Sequence, residues 1–141
     1  MNAYIHTQFG KGIIVGMVAV SSAMLGAGFL LRPLWIGLPI LALATWLFHS
    51  LTIEVTEEEL RWRFGPGWIR KRVLRSLIVS AEPVRTNVIE GWGIHLSRFG
   101  WLYNVSGFDA VAVRMKDGRH FALGTDEPTI LAERLTADSR V

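Results

Sequence analysis

Hydrophobic and polar positions divide this chain into two regimes. Ile13 to Leu31 (IIVGMVAVSSAMLGAGFLL) and Leu34 to Phe48 (LWIGLPILALATWLF) contain no charged residue, and only Arg32-Pro33 separates them. A helix over the first run covers about 28 Å, close to the thickness of a bilayer's hydrocarbon core. Pro33 disfavours helical geometry at Arg32 and suits the first position of a following helix. The pattern predicts a transmembrane hairpin in residues 1–50, with helices at about 12–31 and 34–50. A cleaved signal peptide fits less well, because the first run is long and a second follows at once. Trp35, Trp46 and Phe48 sit near the ends of the second run, where aromatic rings favour the headgroup zone. Gly12, Gly16, Ala19, Ala23 and Ala27 recur every three or four residues and predict a groove for close packing against the second helix.

From Leu51 the period changes to two. Leu51, Ile53 and Val55 alternate with Thr52, Glu54 and Thr56, and Leu60, Trp62 and Phe64 alternate with Arg61 and Arg63. These are half-buried strands joined through Glu57-Glu58-Glu59. Gly65-Pro66-Gly67 marks a turn, with further strands over 68–74 and 77–84. The Gly-aromatic stretch EGWGIHLSRFGWLYNVSG (90–107) suggests short strands near 93–96 and 101–104. Val111, Val113 and Met115 alternate with Ala112 and Arg114, and Asp117-Gly118 is a hairpin turn signal. Thr125-Asp126-Glu127-Pro128 opens a C-terminal helix whose Ile130, Leu131 and Leu135 are expected to face the sheet. Residues 51–141 therefore read as one α+β domain of about seven strands and a capping helix, closing as a bent sheet or open barrel.

Composition adds limits. Half the residues are hydrophobic and 19% are charged. Of the 15 Lys and Arg, only Lys11 and Arg32 fall in the first 50 residues. The rest nearly balance 12 Asp and Glu, so a net charge of +3 is no nucleic-acid footprint. The cationic residues after the second helix, against a single one in the turn, place both termini in the cytoplasm. There are no cysteines, which excludes disulfides, thiolate nucleophiles and Cys-ligated zinc. His6, His49, His95 and His120 lack metal-site spacing, and no Gly-x-Ser-x-Gly or GxGxxG motif occurs. No catalytic residue, cofactor or metal is expected, and the chain reads as a non-enzyme.

GWGIHLSRFGWLYNVSG (91–107) followed by AVAVRMKDGRHFALGTDEP (110–128) resembles the bacterial pleckstrin-homology-like domain family, which includes small membrane proteins with paired N-terminal helices. The resemblance covers nearly the whole chain. It implies a seven-stranded PH-like antiparallel β-barrel, an interaction or scaffolding role at the bacterial inner membrane, and no reaction.

Two sets of side chains are candidates for contact. Trp92, Phe99, Trp101 and Tyr103 would anchor an unidentified protein partner, itself membrane-embedded or not, wherever they are exposed. A homo-oligomer is a further option, from the small-residue stripe. Arg70, Lys71, Arg72 and Arg75 form a basic cluster that could meet anionic lipid headgroups. Alternation sends Arg70 and Arg72 to one side and Lys71 to the other. The Glu57-Glu58-Glu59 loop would repel a phosphate at the place where eukaryotic PH domains bind one.

Overall fold

A computed structural model describes residues 3–28 and 32–137. In chain order the elements are β1 (Tyr4–Phe9), α1 (Lys11–Gly28), α2 (Leu34–Phe48), β2 (Ser50–Val55), β3 (Glu59–Phe64), β4 (Ile69–Leu74), β5 (Ile78–Arg85), β6 (Gly93–Ser97), β7 (Gly100–Asn104), β8 (Asp109–Met115), β9 (His120–Gly124) and α3 (Pro128–Thr136), with a 3₁₀ turn at Arg75–Leu77. The architecture is α+β. One sheet has the order β1-β2-β3-β4 and the other β5-β8-β9-β7-β6.

The alternating segments behave as their period requires. Leu51, Ile53, Val55, Leu60, Trp62 and Phe64 are all buried in the core between the sheets. Trp62 stacks on Phe121 at 5.0 Å and meets Tyr103 edge-on at 5.2 Å, so aromatic rings from both sheets join at the centre. Leu131 and Leu135 of α3 seal one end, whereas Ile130, expected inward, is half exposed. Arg75 is buried and structural. Its guanidinium donates to the carbonyls of Thr56 at 3.0 Å and Arg134 at 2.8 Å, tying the β2–β3 turn to α3.

Three expectations are corrected. No closed barrel forms. Among the described residues nine strands divide between two sheets, with β1, β4, β5 and β6 as edges, and β7 runs parallel to β9. Closure would need β4 to pair with the second sheet, whose β5 follows it across the 3₁₀ turn and pairs with β8 instead.

The N-terminal residues are the second correction. Tyr4–Phe9 forms a strand antiparallel to β2, so the sheet begins before the first helix. Its inward Gln8 donates to the Ser106 carbonyl at 3.1 Å, and Tyr4 donates to Glu127 at 2.9 Å. The β1–β2 ladder brackets the helical hairpin: Phe9 stands opposite Ser50, and the Gly10 amide donates to the His49 carbonyl at 2.7 Å.

The third concerns the hairpin. Among the described residues only α1, with 18 residues, is long and apolar enough to cross a membrane. The 15 residues of α2 reach about 22 Å. The expected continuation of the first helix to residue 31 lies outside the described residues. The small-residue stripe is not the seam between the helices, because Gly16, Ala19 and Ala23 face outward. The seam is made by Met24 lying over Gly37 and by the Trp35 indole donating to the Gly28 carbonyl at 3.2 Å.

Candidate functional site

The gap left by the open barrel is a groove of about 580 Å³ between the free edge of β4 and the second sheet. Trp62 and Val73 form one wall, Tyr103, Met115 and Phe121 the floor, and Leu96 and Trp101 the opposite lip. Cations line its rim, Lys71 and Arg72 from β4 and Arg119 from the β8–β9 hairpin, with His120 beside them. The Lys71 ammonium lies 5.5 Å from the Tyr103 ring centre, a cation–π distance.

Local structure holds this groove open. Gly100 has φ +85°, and a side chain there would overlap the carbonyl of His120, so glycine allows β7 to approach the start of β9. At the β8–β9 turn Asp117 accepts from the Arg119 backbone at 3.0 Å and from its guanidinium at 2.6 Å. These bonds hold the Asp117 carboxyl below its usual range.

The structure separates the predicted interaction residues. Trp101 is 52% exposed and Tyr103 only 3%; both line the groove, one as lip and one as floor. Phe99 lies away from it, against Leu102, Ala110 and Ala122, with the Arg98 guanidinium 4.7 Å above its ring. Trp92 sits at the foot of the hairpin, where its ring covers Gly12 and its indole donates to the Gly107 carbonyl at 3.1 Å. The basic cluster also divides. Lys71 and Arg72 reach the groove, Arg75 is structural, and Arg70 joins a different surface.

That surface is the outer face of the first sheet. Arg61 stands opposite Arg72, and Arg63 opposite Arg70, with Thr52 and Glu54 beside them on β2. Glu59 pairs with Arg61 at 2.7 Å and with Arg72 at 3.6 Å. Among the described residues, Arg63 and Arg70 have no carboxylate partner. The alternation Leu60-Arg61-Trp62-Arg63-Phe64 contained the signal for this face, since burying the apolar residues turns both arginines outward.

Apolar and aromatic groups gather at the foot of the hairpin. Trp68, at the β3–β4 turn, meets Trp46 of α2 edge-on at 5.1 Å, and Phe48 meets Phe64 at 5.3 Å. Gly65 lies directly against the Trp46 and Leu47 carbonyls. Elsewhere, Val88 and Ile89 are exposed in a turn closed by reciprocal Asn87 and Glu90 hydrogen bonds of 2.9 and 3.0 Å. Among the described residues no group of three or more His, Cys, Asp or Glu side chains could hold a metal ion.

No family model matches the chain, and no curated protein or solved structure matches it either.

Proposed function

We propose that this chain is a membrane-anchored interaction module, with its helical hairpin in the bilayer and its β-rich part displaying a groove to a protein partner. The observation that carries the reading is the exposure of the hairpin. Val15 is 68% exposed, Ile36 70% and Ile40 63%, on helices with no charge between Lys11 and Arg32 or within α2. A core helix buries such residues, and a soluble protein rarely shows so large a continuous apolar surface.

The β1–β2 ladder constrains how the hairpin enters. If α1 crossed alone, β1 and β2 would lie on opposite sides of the bilayer and their six paired positions would be broken. Either both helices insert or neither does. The short α2 is compatible with insertion, because a bilayer thins and flanking residues adjust around a short span at modest cost. The excess of Lys and Arg beyond α2 favours the cytoplasmic side of a bacterial inner membrane for the β-rich part and both termini.

The groove suits an extended protein segment. Its β4 wall offers unpaired backbone groups for strand addition, its floor takes apolar side chains, and its cationic rim favours an acidic sequence. Two facing sheets closed by a C-terminal helix support the PH-like reading, although the parallel β7–β9 pair departs from an antiparallel barrel. No reaction is proposed. Photo-crosslinking in intact membranes tests the module: a benzophenone side chain at Trp101 should trap a partner protein, and one at Ile130 should not. Loss of the adduct on Lys71→Glu and Arg72→Glu substitution is expected. Equal adducts at both positions would refute the groove.

A further inference from the structure

We infer that Arg63 and Arg70 form a binding site for the phosphate of an anionic lipid headgroup at the foot of the helical hairpin. The inference rests on the membrane reading above and adds a ligand and a place to it.

The first argument is the register. Arg63 and Arg70 are direct cross-strand partners, and like charges in that position repel. The pair behind them, Arg61 and Arg72, shares the Glu59 carboxylate, whereas Arg63 and Arg70 have none among the described residues. Glu54, the other carboxylate on this face, stands opposite Arg61. Two arginines at directly paired strand positions, neither with a carboxylate partner among the described residues, suit a phosphate, which accepts from planar N–H forks.

The second argument is position. Arg63 and Arg70 flank the turn that carries Gly65 and Trp68. Gly65 lies against the Trp46 and Leu47 carbonyls, and Trp68 meets the Trp46 ring. The two arginines are therefore about 7 Å along their strands from the groups touching the end of α2. With α2 in the bilayer, Trp46 and Trp68 occupy the interfacial zone and the two guanidiniums lie at the level of the phosphates. Thr52, beside Arg63 on β2, adds a hydroxyl. A free anion would meet the same guanidiniums, but only a headgroup is delivered to this depth by the anchor itself.

The test uses full-length protein in neutral detergent micelles, with the thermal unfolding midpoint followed as lipid is added. Phosphatidylglycerol should raise the midpoint; phosphatidylcholine and an equal concentration of inorganic phosphate should not. Arg63→Gln with Arg70→Gln should match or exceed the wild-type midpoint without lipid, because repulsion is relieved. Its apparent affinity for phosphatidylglycerol should fall about thirtyfold, from two lost headgroup contacts. Arg114→Gln, on the second sheet, should keep the full response. An unchanged response in the double variant, or an equal response of the wild type to inorganic phosphate, overturns the site. Release of the wild-type chain from membranes by alkaline carbonate overturns the anchoring itself. Retention of the chain together with an unchanged double variant removes only the arginine site. Should the double variant fail to fold, Arg63→Lys with Arg70→Lys keeps the charge and loses the fork. A weakened lipid response then supports the site, and an unaltered one refutes it.

Discussion

Thr7 and Thr52 lie opposite one another on β1 and β2 with their hydroxyl oxygens 2.9 Å apart, although 45 positions and both helices of the hairpin separate them along the chain. This contact closes a loop containing both apolar helices, α1 and α2. If the hairpin enters a bilayer, these two residues stay together only when both helices insert. Residues directly opposite on antiparallel strands have Cα separations suited to a disulfide, and the chain has no cysteine of its own. Thr7→Cys with Thr52→Cys should form a single intramolecular disulfide under mild oxidation, seen as a mobility shift on a non-reducing gel of the full-length protein. Failure to cross-link, with both thiols reactive, would show that β1 and β2 do not pair as described.

Arg75 predicts a stability effect distinct from its basic neighbours. Its buried guanidinium serves carbonyls from both the β2–β3 turn and α3. Arg75→Ala strands those acceptors and should lower stability by about 3 kcal/mol. Arg75→Lys should recover little, because an ammonium cannot span the same acceptors as a planar fork. Chemical denaturation of the three proteins in one detergent checks both statements.

Tyr4 supplies a pH dependence. Burial, followed by its hydrogen bond to Glu127, raises the Tyr4 phenol above its ordinary value near 10. The folded state therefore holds this proton more tightly than the unfolded chain does. The contribution is complete below about pH 10 and declines as pH rises toward the folded-state value. Unfolding midpoints measured across the alkaline range should fall more steeply for wild type than for Tyr4→Phe. Parallel curves would remove Tyr4 from the linkage between β1 and α3.

Much of the fold was legible because it is local. The alternation in Leu51–Val55 and Leu60–Phe64 marks residues that are all buried, and Asp117-Gly118 turns the chain where expected. What escaped depends on distant partners. Tyr4–Phe9 becomes a strand because β2 waits beyond the hairpin, with Ser106 and Glu127 receiving its polar side chains. The basic run Arg70-Lys71-Arg72 and nearby Arg75 share one composition but three fates, set by strand position and by the carbonyls that surround Arg75. Trp101 and Tyr103 lie two residues apart and share a sheet face. Their difference in exposure comes from β3, which covers Tyr103 with Trp62.

Gly100 is where the groove depends most on backbone. It combines a left-handed φ with direct contact to the His120 carbonyl. Gly100→Ala adds conformational strain and overlap with main-chain atoms that cannot rotate away, and should cost about 3 kcal/mol. Gly118→Ala has open space around the new methyl group and only the φ penalty, so it should cost about 1 kcal/mol. Similar losses at both positions, measured by thermal unfolding, would show that β7 does not approach β9 as closely as described.

Trp101 separates binding from folding. Its ring is the exposed lip of the groove, while the stacked Trp62 and Phe121 behind it belong to the core. Trp101→Ala should therefore change stability by less than about 1 kcal/mol. As the aromatic group that a docked segment would cover, it should cost binding about 2 kcal/mol, or about thirtyfold in affinity. Tyr103→Ala should show the reverse order, destabilising the protein first, because it removes a ring buried against Trp62 and Phe64. The measurement is paired: unfolding midpoints of both variants, and the yield of partner cross-linked from a benzophenone placed at Leu96, on the same lip of the groove. If Trp101→Ala leaves that yield untouched while folding normally, the partner does not use this groove.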